Sequence, residues 1–189
     1  KIAPAIDTNN PKFELNGSLI DIKNNTINLV ATDTKRLAIV KIEQESDHNF
    51  SLIIPKKAIS EIQKLFFDQI EIHYDENTLM ASSSQFTFFT KLINGKFPDY
   101  ERIIPKNKNF RIQLNRESMI DAIKQISIIS SEIKITFKPE KVVFESLNDD
   151  NIEAKTEIEF KTGLENDIFL AVNSRYILDF LSNIENSHF

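Results

Sequence analysis

The 189-residue chain has no cysteine and no tryptophan, and it has only three glycines, Gly17, Gly95 and Gly163. The absence of cysteine excludes disulfides, thiolate metal sites and cysteine nucleophiles, and it suits a reducing cytoplasm. Three scattered glycines do not form the loop that cradles a phosphate, so the sequence carries no nucleotide-binding fingerprint. No run of about 18 apolar residues is present, and we therefore expect no membrane-spanning helix. We expect no cofactor either.

Charge sets a second limit, because the formal net charge is −5 at pH 7. Proteins that hold nucleic acid by electrostatics are usually basic, so this value argues against tight nucleic-acid binding. A composition of 41% hydrophobic and 27% charged residues is that of an ordinary globular protein. The chain begins at Lys1 without a methionine, and we expect it to be a piece of a longer protein.

No pattern of catalytic or metal-binding residues is present. The three histidines, His48, His73 and His188, lack a second histidine at ligand spacing, which indicates solvated surface positions. Asp149 and Asp150 lie in a predicted hairpin loop, where aspartate is favoured for turn chemistry alone. We therefore predict a non-catalytic protein without a metal site, and an enzyme that relies on scattered carboxylates is the least favoured hypothesis.

Three segments about sixty residues apart look like copies of one unit. They are Phe50–Phe67, Phe110–Ile128 and Ile168–Ile184. Each begins as a short strand, passes a residue that starts helices (Pro55, Asn115 or Asn173) and continues with apolar residues at three- and four-residue spacing. The pattern predicts a strand followed by an amphipathic helix in every copy.

Alternating apolar residues over 70–74 and 133–137 predict strands, with hairpin turns at Asp75–Asn77 and Lys138–Lys141. Several antiparallel strands thus follow each helix. This order predicts an α+β fold of repeated strand–helix–strands half-domains, with helices on one face of antiparallel sheets.

Proline and charge in Asn94–Asn109 predict a connection between two domains, 1–105 and 106–189. The second copy of the unit stops at Phe189, shortly after its second helix. We therefore expect the second domain to lack its last strands, and the N-terminal edge of the first domain to be trimmed.

Two short stretches carry more information than the rest. The first is ATDTKRLA (Ala31–Ala38), preceded by LNG (Leu15–Gly17), and the second is GKFPDYERIIP (Gly95–Pro105). Taken alone, the first predicts a hairpin with a charged tip and an Asx turn at Asp33. The second, taken alone, predicts a linker whose aromatic residues pack onto a neighbouring domain.

In this order and at this separation, the two stretches resemble the beta subunit of bacterial DNA polymerase III, the sliding clamp. The family pattern is ATD-x-x-RLA and, about sixty residues later, G-basic-aromatic-PDY followed by a proline. The likeness runs through essentially the whole chain and corresponds to the middle and last domains of the family, with the first domain absent.

The resemblance implies a homodimeric ring of six similar domains that encircles duplex DNA, with helices lining the hole. Such a ring tethers the replicative polymerase for processive synthesis without catalysing it. Because a topological link needs only weak, non-specific phosphate contacts, an acidic net charge is compatible with this function. The ring contact joins the first domain of one subunit to the last domain of the other, so we expect this fragment to be monomeric.

The resemblance also implies two sets of site residues. The DNA-facing set is Lys12, Phe13, Lys56, Lys57, Lys64 and Lys124. The second set would form a groove between the middle and last domains that binds peptides of polymerases, the clamp loader and repair proteins. Its members are Leu15, Thr32, Thr34, Lys35, Arg36, Leu37, Pro98, Ile103, Asn173 and Tyr176. A solvated helix face would show similar lysines, so for those residues the alternative stays open.

One departure from the family pattern falls in the groove. The family commonly has Gly-His where this chain has Thr34 and Lys35, so we expect the rim to differ in shape. Arg36 is expected to cover the apolar wall with its stem and keep its charge in water. The alternative function is a stand-alone peptide-binding adaptor that never encircles DNA.

Overall fold

The computed structural model describes residues 1–45, 49–106, 110–147 and 154–189. These divide into two compact units, Lys1–Pro105 and Lys106–Phe189, called unit 1 and unit 2 below. Each unit has a four-stranded antiparallel sheet and its own buried apolar residues. Within the described ranges, no helix has the length and apolar character needed to cross a membrane.

Unit 1 is built from seven strands and one α-helix among its described residues. In chain order they are β1 (Gly17–Lys23), β2 (Thr26–Thr32), β3 (Leu37–Glu43), β4 (Phe50–Pro55), α1 (Lys56–Leu65), β5 (Glu71–Tyr74), β6 (Thr78–Ser82) and β7 (Thr87–Lys91). The strand orders are β3-β2-β1-β4 and β5-β6-β7. Short 3₁₀ turns occupy Ala3–Ala5, Phe13–Asn16 and Tyr100–Ile103.

Both faces of the first sheet are covered. Leu19 pairs with Val30 on one side and with Ile53 on the other, so these side chains share one face. That face packs against Phe97 and Tyr100 of the segment after β7. The opposite face packs against α1, the N-terminal 3₁₀ turn and the second sheet.

Unit 2 repeats the same sheet. Its elements are α2 (Arg116–Ser127), β8 (Glu132–Phe137), β9 (Lys141–Ser146), β10 (Lys155–Glu159), β11 (Ile168–Asn173) and α3 (Ser174–Asn183). The strand order β10-β9-β8-β11 matches β3-β2-β1-β4 position for position. In both units the fourth strand runs directly into a helix, α1 or α3. The predicted α+β class is confirmed, and so is the predicted strand–helix junction in the first and third copies. In the second copy the predicted strand before α2 is wrong: residues 110–114 belong to no strand, and Asn115 forms only an isolated bridge with His188. Apolar residues at this position pack into the core of unit 2 without a neighbouring strand to pair with among the described residues.

The helix starts follow the local signals. Asn115 Oδ1 accepts a hydrogen bond from the Ser118 amide at 3.0 Å, and Asn173 Oδ1 accepts one from the Arg175 amide at 3.0 Å. Both are the predicted N-caps. The predicted apolar face of α2 is buried, with Ile123 fully enclosed against β8, β9 and α3. The hairpin loop expected at 148–151 and His48 lie outside the described residues.

Candidate functional site

The ATDTKRLA stretch forms the turn between β2 and β3. Asp33 Oδ1 accepts hydrogen bonds from the amides of Lys35 and Arg36, both at 3.0 Å, which is the predicted Asx turn. Thr32 Oγ1 donates to the Arg36 carbonyl at 2.6 Å and accepts from the Thr34 amide at 3.1 Å. Two short polar side chains therefore fix the backbone of the whole turn.

Thr34 has a φ of 72°, in the left-handed region. A β-branched residue is rare there, because its side chain crowds the following carbonyl. The backbone thus adopts the conformation that a glycine would favour at this position, although the residue is threonine. Compared with the glycine of the family pattern, Thr34 adds a side chain and backbone strain. The hydrogen bonds of the turn hold the backbone in this strained conformation.

Arg36 is engaged within unit 1. Its Nε lies 3.0 Å from Asp33 Oδ2, and its Nη2 donates to the carbonyl of Pro4. The side chain is only 19% exposed. The expectation that Arg36 keeps its charge in water is therefore wrong. The guanidinium instead ties the N-terminal segment to the turn, because a fork of planar donors reaches both acceptors at once.

The LNG stretch lies at the start of β1. Leu15 is 1% exposed and packs with Leu19, Val30 and Phe97. A Cβ placed on Gly17 would lie 2.5 Å from the carbonyl oxygen of Ile54 in the neighbouring strand. Glycine is therefore required here by the close approach of β1 and β4.

In the GKFPDYERIIP stretch, the aromatic residues point inward and two apolar residues point outward. Phe97 and Tyr100 are buried against the sheet of unit 1, so this part of the predicted linker belongs to the first unit. Pro98 is exposed, and Ile103 is 62% exposed. Burial of the aromatic pair thus presents two apolar side chains to solvent from one short segment.

A polar cluster that sequence reasoning missed anchors this segment to β1. Tyr100 Oη donates to Asp21 Oδ2 at 2.7 Å, and Lys23 Nζ lies 3.1 Å from Asp21 Oδ2 and 2.7 Å from Glu101 Oε1. Lys23 Nζ also lies over the Tyr100 ring, 5.6 Å from its centroid. We call these four residues the Tyr100 anchor. The sequence gives only a weak signal for this cluster. Asp21 and Lys23 are charged residues on the otherwise apolar face of β1, and such charges also occur on strands near sheet edges.

The pKa shifts within the Tyr100 anchor favour the protonation states that its hydrogen bonds require. Hydrogen bonding to Glu101, and then to Asp21, raises the pKa of Lys23 above its ordinary value. Burial raises the pKa of Tyr100 to about 12, and its hydrogen bond to Asp21 acts in the same direction. At neutral pH the tyrosine is therefore a neutral donor to a charged acceptor, which is a favourable arrangement.

The comparisons with known proteins agree with the motifs. Residues 1–99 match the family model described as DNA polymerase III beta subunit, central domain, and residues 101–189 match that of the C-terminal domain. The chain belongs to this family, the bacterial sliding clamps.

Relatives and solved structures place the family match across the whole chain. The beta sliding clamp of Helicobacter pylori (strain ATCC 700392 / 26695) is 38% identical over 198 residues, covering 100% of this chain and 53% of the relative. The crystal structure of a Helicobacter pylori beta clamp bound to a DNA ligase peptide has a TM-score of 0.92 at 35% identity, covering 100% of this chain and 54% of that chain. The DNA polymerase III subunit beta from Pseudomonas aeruginosa has a TM-score of 0.93 at 27% identity, covering 98% and 53%. The chain thus spans about half the length of the sliding clamps it matches.

The peptide-binding residues expected from the sliding-clamp resemblance fall into two groups in unit 1. Leu15 and Leu37 belong to one apolar cluster with Phe97 and Tyr100, although Leu15 is enclosed and Leu37 is half-buried. The exposed members are Thr34, Lys35, Pro98 and Ile103, whereas Thr32 is buried beneath the turn. Among the expected residues of unit 1, Leu15 and Thr32 are thus buried, and Thr34, Lys35, Pro98 and Ile103 are accessible to solvent.

The two expected residues of unit 2 lie at the start of α3. Asn173 caps the helix and donates from Nδ2 to Glu132 Oε1 at 2.9 Å. Tyr176 is half-buried in the first helical turn. Both positions are therefore held by the β11–α3 junction, which is the second copy of the β4–α1 junction.

The expected DNA-facing residues differ in how free their charges are. Lys12, Lys57 and Lys124 are exposed, and Phe13 is 74% exposed. Lys64 is exposed and lies 2.8 Å from Glu61. Lys56 is half-buried, with Nζ donating to the Ile6 carbonyl at 2.7 Å. One donor of Lys56 is therefore occupied inside unit 1.

Among the described residues, no group of three or more histidine, cysteine, aspartate or glutamate side chains is placed to hold a metal ion. His73 is exposed on β5 beside Glu71, at 3.7 Å, and His188 is exposed near the end of the chain. His73 is therefore a solvated surface residue, as predicted.

Proposed function

We propose that the chain is part of a sliding clamp that encircles duplex DNA and tethers the replicative polymerase and other partners in the bacterial cytoplasm, without catalytic activity of its own. The observation that carries the proposal is the pairing of the two family motifs in unit 1. The ATDTKRLA turn and the GKFPDYERIIP stretch (Gly95–Pro105, called the FPDY segment below) contribute Leu37, Phe97 and Tyr100 to one apolar cluster around Leu15. The match to both family domains supports the same function.

The peptide site is proposed on the exposed side of that cluster. A partner peptide with hydrophobic side chains needs an apolar surface and a few polar anchors. Leu37, Pro98 and Ile103 supply the apolar part, and Lys35 supplies an exposed charge beside Thr34. Asn173 and Tyr176 stay in the proposed set on the strength of the resemblance alone. The Helicobacter pylori relative was crystallised bound to a DNA ligase peptide, which supports a peptide partner for this chain.

The DNA contacts are proposed to be weak and non-specific. Lys57 and Lys64 on α1 and Lys124 on α2 offer charges at solvent-exposed helix positions, and Lys12 and Phe13 offer a loop contact. Lys56 is the least suited of the set because it also holds the Ile6 carbonyl. A net charge of −5 then limits tight binding and favours a protein that stays on DNA by encirclement.

A homodimeric ring is proposed for the full-length protein. Two consecutive apolar residues after α2, Ile128 at 82% and Ile129 at 41% exposure, supply the kind of surface that a subunit contact buries. We expect the full-length protein to sediment as a ring-sized dimer and this chain alone as a monomer. A monomeric full-length protein would favour the adaptor, and a concentration-independent dimer of this chain would contradict the proposed ring contact.

The peptide site is tested by fluorescence polarisation of a labelled DNA ligase peptide against the full-length protein and its Leu37→Asp variant. We expect micromolar binding that is lost in Leu37→Asp, because a carboxylate in the apolar surface leaves an unpaired charge against the peptide. Lys141→Gln is the control, since it removes only an exposed ion pair with Glu157 in unit 2. Equal binding by wild type and Leu37→Asp would exclude this surface as the site.

A further inference from the structure

The FPDY segment is held to unit 1 by few attachments. Residues 94–99 belong to no strand or helix, and a cavity of about 490 Å³ lies between this stretch, β1 and β4. Phe97 and Tyr100 insert into the apolar cluster, whereas the 3.4 Å hydrogen bond from the Ile104 amide to the Glu101 carbonyl lies within the 3₁₀ turn itself. The position of the segment therefore depends strongly on its side-chain contacts.

The Tyr100 anchor is the polar part of those contacts. Tyr100 lies two residues after Pro98 and three before Ile103, the two exposed apolar residues of the proposed peptide surface. Its hydroxyl reaches Asp21 on β1, a strand paired on both sides within its sheet. A charged acceptor buried to 16% exposure gives a stronger hydrogen bond than a neutral or solvated one. The anchor thus connects a segment of irregular backbone to a strand that is hydrogen-bonded on both sides.

Resting on the proposed peptide site, we infer that Asp21 and Tyr100 are positioning residues for partner-peptide binding: their hydrogen bond holds Pro98 and Ile103 in the conformation that receives the peptide. Lys23 supports the bond by neutralising Asp21, and its second ion pair with Glu101 fixes the other side of the turn. Neither Asp21 nor Lys23 belongs to the proposed contact surface. Their effect on affinity comes through preorganisation, since an ordered surface loses less freedom when the peptide binds.

The substitutions are chosen to separate the hydrogen bond from packing and charge. Tyr100→Phe keeps the buried ring and removes only the donor, and Asp21 retains Lys23 as a partner at 3.1 Å. Asp21→Ala removes the acceptor, whereas Asp21→Asn keeps an acceptor oxygen for the tyrosine. Ser18→Ala is the matched control, because it removes a buried hydrogen bond of 3.0 Å to the Val30 carbonyl from the opposite face of the same strand.

The experiment measures the dissociation constant of the labelled DNA ligase peptide for these variants of the full-length protein. We expect Tyr100→Phe and Asp21→Ala each to weaken binding by about three- to tenfold, the range that corresponds to losing one well-made hydrogen bond. Asp21→Asn should stay nearer to wild type, and Ser18→Ala should bind as wild type does. The double variant Tyr100→Phe/Asp21→Ala should bind the peptide no more weakly than the weaker-binding of the two single variants, because both substitutions remove the same hydrogen bond.

A second measurement separates positioning from general stability. In Tyr100→Phe without peptide, hydrogen exchange at the Ile104 amide should accelerate while amides of β2 stay unchanged. Wild-type affinity in both Tyr100→Phe and Asp21→Ala would overturn the inference while leaving the proposed function intact. Equal weakening by Ser18→Ala, or faster exchange throughout unit 1, would also overturn it. Absence of peptide binding by the wild-type protein would instead refute the proposed peptide site, and the inference with it.

Discussion

Replacement of Gly17 by alanine should destabilise unit 1 although the change adds only one methyl group. The alanine Cβ would lie 2.5 Å from the Ile54 carbonyl oxygen, 2.9 Å from Ile53 Cγ2 and 2.9 Å from Ile93 Cδ1. The two side chains can rotate or shift, but the oxygen belongs to the backbone of β4. Relief of that contact requires β1 and β4 to separate next to the pair Gly17–Pro55.

The expected magnitude combines two opposing effects. Overpacking a close-packed site costs about 1–3 kcal/mol. Alanine returns about 0.4–1 kcal/mol by restricting the unfolded chain, and Gly17 has an extended backbone (φ −140°) that alanine also adopts. We therefore expect a net loss of about 1–2 kcal/mol in the free energy of unfolding, which corresponds to a drop of about 2–8 °C in Tm for a chain of this length.

Urea unfolding followed by circular dichroism measures this loss, with Gly163→Asn as the control. Gly163 has a φ of +73°, which asparagine tolerates, and a Cβ there meets no atom within 4 Å. The control should change the free energy of unfolding by less than about 0.5 kcal/mol. If Gly17→Ala were as stable as wild type, the argument that strand proximity requires glycine in the LNG stretch would be refuted.

Two further predictions concern the turn after β2 and the hairpin at Asp75. Thr34→Gly should stabilise the protein by about 0.5–1 kcal/mol, because removal of the left-handed strain gains about 1–2 kcal/mol and the added freedom of the unfolded chain costs about 0.4–1 kcal/mol. Thr34→Ser keeps the Cβ and should gain little stability in the same urea titration. A Thr34→Gly variant less stable than wild type would contradict the argument that Thr34 is strained. The Asp75 carboxyl accepts hydrogen bonds from Thr78 and Asn77, which lower its pKa below the ordinary 3.8. The contribution of Asp75 to stability should therefore be complete above about pH 5 and be lost as the pH falls through the lowered pKa. An NMR titration of the Asp75 carboxyl measures that pKa, and a midpoint at or above 3.8 would refute the prediction.

Local features were the ones that the sequence predicted well. The N-caps Asn115 and Asn173, the Asx turn at Asp33 and the alternating strands each depend on residues a few positions apart. Their chemistry is complete within one turn or one strand, so tertiary context has little to change. The repeat was predictable for the same reason, because the β4–α1 and β11–α3 junctions are local units that occur twice.

Sequence reasoning is weakest for long side chains whose partners are distant in sequence. Arg36 was expected to keep its charge in water, but its guanidinium reaches the Pro4 carbonyl, 32 residues earlier. Lys56 reaches the Ile6 carbonyl across 50 residues. An arginine or lysine can snorkel to solvent or bond a buried acceptor, and the sequence does not say which acceptors will be near.

The sequence by itself determined the family, the α+β class, the order of the elements and the positions of the two motifs. The family followed from the resemblance of the two motifs to the sliding clamps. The fold class followed from hydrophobic periodicity and turn chemistry, which act over short distances. Only the tertiary structure decided which motif residues are buried and which are exposed. Tyr100 and Asp21 are 79 residues apart, and they meet because the chain after β7 folds back over the face of β1. That contact turns Phe97 and Tyr100 inward and leaves Pro98 and Ile103 facing solvent, where a partner can reach them.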